Sequence, residues 1–444
     1  MAKKKTKLHN NNNRADLSIS LQQKTSTQPS NPAFGKIVFS SLLVLWLSTL
    51  FICAVYCYTA FPSVPGGDSG ELLAEACQGG TAHPPGYPLY TALANGLYKL
   101  THQELKAIGP NFKVSASQEY ATFAWKVNIF SCFLGAGAAL LSSMAAELWM
   151  RVNLGDGLPW IAAMGGVIFA FSPLTWEYSV GAEVFSLNNF LVAWLLYQTV
   201  KVHVYQGKVH DIVLAAFICG LAISNQHTSA LFQAVIIPAV AFAAYQGGNF
   251  SVSTVLLSGC FFLVGLSPYV YLIVASAEPK PGSWGEMQSF TSLIRHILRQ
   301  EYGTLKLGVG RETSEGMWER INVYLCDASE QTFYMLTTLG CLGMVYCLIG
   351  PSLKTRSLSL FLVATSVFYQ LFWNGVLANL PLDAPMPRAV QSRFWMQPNL
   401  LLSIFSSFGA GALVMRSPLQ RIKGLLGPAA YAAAAGLLLW GNRG

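Results

Sequence analysis

Apolar residues in this chain run in long blocks separated by short polar connectors, with neither strict alternation nor the ten-residue segments of barrel strands. Blocks of that length predict helices that satisfy their own backbone N–H and C=O groups, as a bilayer requires, and the missing alternation argues against a membrane barrel. Eleven candidate spans are read, at roughly 37–60, 122–148, 158–175, 184–200, 211–225, 229–245, 252–275, 331–350, 357–378, 397–415 and 425–441. The expected class is an all-α polytopic membrane protein with about eleven transmembrane helices.

The connectors fall into two sets of different chemistry. Even-numbered connectors carry Arg151, Lys201 with Lys208, Lys354 with Arg356, and Arg416 with Arg421 and Lys423. Short basic connectors stay on the cytosolic side, so the odd-numbered ones, 61–121, 176–183, 224–229, 276–330 and 379–396, are expected to share the lumenal face. Residues 1–36, rich in Lys, Asn, Gln and Ser, read as a disordered basic cytosolic tail, and 37–444 as one multispanning domain. The run from Ile37 to Phe61 is too long for the core of a signal peptide and has no small-residue cleavage site, so it reads as a signal anchor.

Composition sharpens this reading. With 53% hydrophobic and 11% charged residues the chain cannot clothe itself in polar groups in water. The net charge of +8 suggests nucleic acid until its placement is read: Lys3, Lys4, Lys5, Lys7, Arg14, Lys24 and Lys36 all precede the first span, where they are a topology signal.

Candidate chemistry collects in the odd-numbered connectors. Gly66-Gly67-Asp68-Ser69-Gly70-Glu71 sets two carboxylates directly beyond the first span, where carboxylates are costly unless used. The plain structural reading is a capping box, with Asp68 accepting from the helix backbone and Glu71 reaching back. The glycines equally allow a ligand close to the backbone. His83-Pro84-Pro85-Gly86-Tyr87-Pro88 is a stiff turn that launches an amphipathic segment with Leu89, Leu93, Leu97 and Leu100 at helical spacing, expected along the membrane surface. His83 and Tyr87 either pack that turn or line a site.

Further along, Glu183 follows Trp176-Glu177-Tyr178, and Asn225, Gln226 and His227 either cap a helix end or face the same cavity. Trp284 precedes a predicted helix on which Arg295 and Arg299, four apart, share one face; two guanidinium forks there suit a phosphate, while the plainer reading is a salt-bridged solvated helix. Arg388 and Arg393 either snorkel to headgroups or point inward. The nine cysteines show no metal spacing; Cys77 and Cys326 fall in expected lumenal connectors and can pair.

At these residues the chain resembles the transmembrane protein 260 family of protein O-mannosyltransferases. The resemblance rests on Gly66–Glu71 and His83–Pro88, with Asn225–Thr228, Ser283–Gly285, Arg299–Thr304 and Arg393–Asn399 in support. It implies a C-type glycosyltransferase fold in the endoplasmic reticulum membrane, with the N-terminus cytosolic and the active site on lumenal loops. It implies transfer of mannose from dolichyl phosphate mannose to Ser or Thr of plexin-type immunoglobulin-like domains of receptors, with no metal or other cofactor. Members of the family continue into a C-terminal region of tetratricopeptide-like helices, and this sequence ends at Gly444 soon after its last apolar run, so a truncated form is expected.

Sugar already linked to phosphate has a good leaving group, so the reaction needs a base and charge stabilisation more than a general acid. Under that implication Asp68 is the base of an inverting transfer, and Glu71 orients Asp68 or the sugar. His83 and Tyr87 line the acceptor side, and Glu183, Asn225, Gln226, His227, Trp284 and Tyr302 face the substrates. One of Arg295, Arg299, Arg388 and Arg393 holds the lipid phosphate. Partners are then the lipid-linked donor, receptor ectodomains and membrane lipids, not nucleic acid. Three rival readings are a transporter or lipid flippase, a metal-dependent transferase with Asp68, Glu71 and Glu183 as cation ligands, and a non-catalytic truncated form.

Overall fold

Each of the eleven apolar blocks is helical in the computed structural model, which describes residues 32–107, 115–285, 287, 289–308, 315–350, 353 and 355–442. The expected tail over 1–31 lies outside the described residues. Helix α1 (Pro32–Thr59) is followed by two helices of the first long connector, α2 (Ser69–Gln78) and α3 (Pro88–Ala107). Then come α4 (Ala116–Leu154), α5 (Pro159–Ala170), the short α6 (Pro173–Ser179), α7 (Val184–Val204), α8 (Val209–Asn225), α9 (Ala230–Gln246) and α10 (Val252–Gly265). The remainder is α11 (Tyr269–Ala277), α12 (Phe290–Ile297), α13 (Met317–Gln331), α14 (Met335–Ile349), α15 (Arg356–Phe372), α16 (Pro385–Ser392), α17 (Met396–Met415) and α18 (Lys423–Gly441).

The protein is a multi-pass, all-helical membrane protein; no strand occurs among the described residues. Among the described residues seven helical stretches are long and apolar enough to cross a bilayer, and two bent pairs bring the number to nine. The difference from eleven has local causes. Helix α8 has 17 residues, short for a span, and α7 buries Asn188, Asn189 and Gln198 among its apolar residues. The expected span 331–350 is shortened at its start: α13 and α14 meet at 117°, with Phe333 and Tyr334 in left-handed backbone at the corner, and α14 is 15 residues long.

Helix α17 is the centre of the bundle, buried along nearly its whole length, and it packs on α14, α4 and α5. Lipid supplies no hydrophobic drive for such pairing, so close backbone approach carries it. Gly343 and Gly409 make that approach possible: a Cβ on Gly409 would lie 2.7 Å from the Gly343 nitrogen, and one on Gly343 would meet the Phe405 carbonyl. Gly220 and Gly265 do the same for α8 and α10. By contrast α1, α10 and α18 leave Leu43, Leu47, Leu256, Leu263, Leu425 and Trp440 exposed, the faces expected to meet lipid.

Several basic residues of the even-numbered connectors are ion-paired. Arg151 joins Glu147 and donates to Ser41 (2.8 Å), Lys201 pairs with Asp211 (2.9 Å), and Lys423 pairs with Asp156. Lys126, the other span-end charge, pairs with Glu104. Of the leucine stripe on α3, Leu89 and Leu97 pack on the core while Leu93 and Leu100 stay exposed; Tyr90 and Ala94 form the centre of the buried face. Cys77 and Cys326 are both free thiols, since Cys326 sits exposed on α13 while Cys77 packs against the core.

Candidate active site

The first connector is tied down before it reaches the acids. Phe61 donates its N–H to Val180 (3.2 Å), and Asn128 donates to the carbonyls of Phe61 and Ser63 at 2.8 Å each. The chain then turns through Gly67, in left-handed backbone (φ +72°), and α2 starts at Ser69 with Asp68 as its N-cap residue. The capping box of the plain structural reading does not form. Asp68 makes no side-chain cap; its Oδ2 accepts from Arg393 Nη1 at 2.6 Å. Glu71 does not reach back either, for Oε1 accepts the His83 N–H at 2.7 Å and Oε2 lies 2.9 Å from His83 Nδ1. Charge-assisted partners displace the neutral backbone cap in both cases.

Glu183 lies beneath this turn. It is 4% exposed, and its Oε1 accepts both the Asp68 N–H (3.0 Å) and the Ser69 hydroxyl (3.3 Å), while Oε2 is buried without a hydrogen-bond partner. Burial, and after it the neighbouring Asp68 carboxylate, push the Glu183 carboxyl up to about 8. The group is therefore largely neutral at pH 7.

On the far side of Glu71 a second chain of contacts runs through the proline turn. His83 Nε2 lies 3.2 Å from the Tyr87 hydroxyl, and Tyr87 is buried in left-handed backbone. With Nδ1–H donating to Glu71, Nε2 is left to accept the tyrosine proton. Burial raises the Tyr87 hydroxyl well above its usual range; the charges acting on it include Arg299, Asp68 and Arg393. The hydroxyl is thus within electrostatic reach of Asp68 and two arginines.

The four candidate arginines separate. Arg393, at the head of α17, holds Asp68 and lies over the Tyr178 ring (5.9 Å). Arg299 is not on one face with Arg295: α12 ends at Ile297, and Arg299 turns into left-handed backbone (φ +53°). It donates to the Leu307 carbonyl (2.9 Å), lies over the Tyr302 ring (5.2 Å), and keeps a buried Nε without a partner. Arg295 is exposed, and Arg388, half exposed, faces Asp327 at 3.8 Å. Arg299 also lines a cavity of about 210 Å³ together with His227, Thr228, Lys306, Trp373 and Phe394. A larger cavity, about 350 Å³, lies among α8, α9 and α10; it is apolar and includes none of the site residues.

The remaining predicted residues bind the connectors together. Asn225 donates to the Val184 carbonyl (3.2 Å), and Gln397 donates to Thr228 (2.8 Å) and Gln226 (3.5 Å). His227 Nε2 lies 2.8 Å from the Tyr269 hydroxyl. Trp284 donates its N–H to Thr81 (2.9 Å), and its ring is tilted against Tyr302. Beside it, Ser283 donates to Glu75. His296, buried behind Gly86, has an imidazole pushed down to about 4 by burial. Arg320 and Asn379 fasten the fourth connector to the fifth: Arg320 donates to the Leu380 carbonyl and Gln391 (2.9 Å each), and Asn379 accepts from Leu307 (2.8 Å). All five odd-numbered connectors therefore meet.

Sequence reasoning missed Ser69, Tyr178, Gln397, Lys306, Trp373 and Arg320 as parts of this assembly. Gln397 and Asn399 carried a readable signal, two amides in the first turn of an apolar span; Tyr178 carried none. Among the described residues no three His, Cys, Asp or Glu side chains are gathered as a metal site needs, because Asp68 is turned onto Arg393 and Glu71 onto His83. The arrangement offers a half-exposed carboxylate at the mouth of the junction, a neutral acid behind it, and an arginine-lined cavity alongside. That is the equipment for moving a proton next to an anionic group.

Residues 68–252 match the family model described as the Protein O-mannosyl-transferase TMEM260 N-terminal domain. The chain is 32% identical over 408 residues to the Protein O-mannosyl-transferase tmem260 of Dictyostelium discoideum, covering 87% of this chain and 47% of that one. It is 32% identical over 370 residues to the Protein O-mannosyl-transferase TMEM260 of Mus musculus, covering 82% and 48%. The chain thus spans about half the length of the curated relatives it matches. The matched regions include the Gly66–Glu71 turn from Asp68 onward, the proline turn, Glu183 and Asn225–Thr228.

Proposed function

We propose that the chain is a member of the TMEM260 family and a C-type glycosyltransferase moving mannose from dolichyl phosphate mannose to a Ser or Thr hydroxyl of plexin-type immunoglobulin-like domains, on the lumenal face of the endoplasmic reticulum membrane. The observation that carries the reading is the Asp68–Arg393 pair, a rigidly held carboxylate that is 39% exposed where the five connectors meet. Such a carboxylate is reachable by an incoming hydroxyl, yet fixed in direction by its partner and by the hydrogen bond of its own N–H to Glu183.

In the proposed reaction the acceptor oxygen forms a bond to the anomeric carbon while the bond from that carbon to the phosphate oxygen breaks, with inversion. The hydroxyl proton passes to Asp68, and the bonding pair leaves on the phosphate. Protonating Asp68 removes the negative partner of Arg393, whose charge then serves the departing phosphate. Arg299, which lines the cavity beside His227 and Lys306, is the arginine best placed to hold that phosphate in the ground state. Exposed Arg295 and Arg388 are less suited.

The test is mannose transfer by the purified chain in liposomes, from a polyprenyl phosphate mannose to a plexin-type acceptor domain. Asp68→Asn is expected to lower turnover about 100- to 10,000-fold, the usual contribution of a positioned base. Unchanged turnover by that variant would remove Asp68 from the role.

A further inference from the structure

We infer that Glu183 is the positioning residue of the candidate base and works in its neutral form, one carboxyl oxygen fastening the Gly67–Ser69 turn so that the Asp68 side chain is left to Arg393 and the acceptor. This rests on the transferase reading above and assigns a residue that acts through Asp68.

Three observations converge on it. Oε1 of Glu183 accepts from two consecutive residues, the Asp68 N–H at 3.0 Å and the Ser69 hydroxyl at 3.3 Å. That leaves the Asp68 side chain as the part of the residue free to react. The turn is shaped around this oxygen: Gly67 is in left-handed backbone, and a Cβ there would lie 2.8 Å from Oε1. Gly67 is thus required both for its φ and for the closeness of the carboxyl. The second oxygen, Oε2, is buried and has no hydrogen-bond partner.

An ionised carboxylate with one bare buried oxygen beside another carboxylate costs more than a protonated one, whose unpaired Oε2–H carries no net charge. The groups facing Glu183 are Asp68 at the start of α2, Arg393 at the head of α17, Tyr87 and Tyr90 around the start of α3, and Tyr178 on α6. Arg393 is the single cation among them, and it is committed to Asp68. Loss of the Glu183 proton would set two carboxylates competing for that one guanidinium and pull it off the base.

The experiment pairs two readouts on the wild type, Glu183→Gln and Glu183→Ala. In an infrared pH titration, the wild-type-minus-Gln difference should show the carbonyl stretch of a protonated carboxyl at pH 7 that fades as pH passes about 8. In transfer assays the wild type should lose turnover across that same range. The Gln variant, whose amide oxygen accepts the same two hydrogen bonds, should keep turnover within a few-fold at pH 7 and lack the alkaline decline. The Ala variant should fall on the order of 100-fold, the cost of a misplaced reacting group.

Absence of the protonated band at pH 7, or an alkaline decline in the Gln variant equal to that of the wild type, would overturn the inference. An Ala variant that folds and turns over like the wild type would do so as well. A wild type that shows the band but transfers no mannose contradicts the functional reading and leaves the neutral Glu183 supported.

Discussion

Arg393 Nη1 lies 2.6 Å from Asp68 Oδ2, across 325 residues of sequence, and so joins the start of the first connector to the head of the most buried helix. Arg393→Lys keeps the charge but loses the fork that reaches Asp68 while lying over Tyr178. Turnover of the Lys variant is expected to drop about 10-fold and that of Arg393→Ala about 100-fold or more, since the latter leaves a carboxylate without its cation. Steady-state transfer rates check the order; equal activity of the Lys and Ala variants would contradict it.

Arg299 and Arg295 should behave differently despite their spacing. Arg299→Ala is expected to raise the donor KM about 10- to 100-fold, the worth of a charge-assisted hydrogen bond, and to leave the acceptor KM nearly unchanged. Arg295→Ala should alter neither, because Arg295 is exposed while Arg299 lines the cavity. Titrating donor and acceptor separately reads both. Equal effects of the two substitutions would restore the one-face arrangement that the end of α12 contradicts.

Stability should depend on pH through Glu183. The folded protein holds this proton up to about 8, whereas an unfolded chain has released it by about pH 5, a little above the ordinary glutamate value of ~4.3. Between those limits the native state binds more protons, so rising pH favours unfolding through this group, and the penalty is complete above about 8. Glu183→Gln removes the group. Its melting temperature relative to the wild type should therefore climb from pH 5 to pH 8 and then level off; a constant difference would contradict the buried neutral acid.

Helix packing offers a test separate from chemistry. A side chain at Gly409 meets the backbone of α14, so Gly409→Leu should destabilise the chain by at least the ~1–3 kcal/mol typical of overpacking. Gly436 on α18 has nothing within 4 Å of its Cβ position, and Gly436→Leu should be neutral or mildly stabilising there. Thermal unfolding of the two variants in one detergent gives the comparison, and equal melting temperatures would contradict the close α14–α17 contact.

The sequence makes the apolar blocks legible because a span of helix must be apolar over its full length, and the polar connectors legible because they interrupt it. What it does not carry is direction. Asp68 and Glu71 have the spacing of a cap, and only the arrival of Arg393 and His83 from elsewhere turns them away from it. Arg295 and Arg299 have the spacing of one helix face, yet the left-handed backbone at Arg299, an uncommon state for a residue with a side chain, takes them apart. The corner at Phe333–Tyr334 is hidden for the same reason, since no Gly or Pro announces it. Glu183 reads in the sequence only as one of two acids in the second connector, and its role depends on lying under a turn 115 residues earlier.

A double-mutant cycle on Asp68 and Arg393 tests the central claim, that the two act as one unit in transfer, most directly. Transfer rates of Asp68→Asn, Arg393→Ala and the combined variant would be measured at saturating donor and acceptor. If the pair is a unit, the combined variant should be about as slow as Asp68→Asn alone, the losses failing to multiply. Losses that multiply in full would show two independent residues and contradict the account.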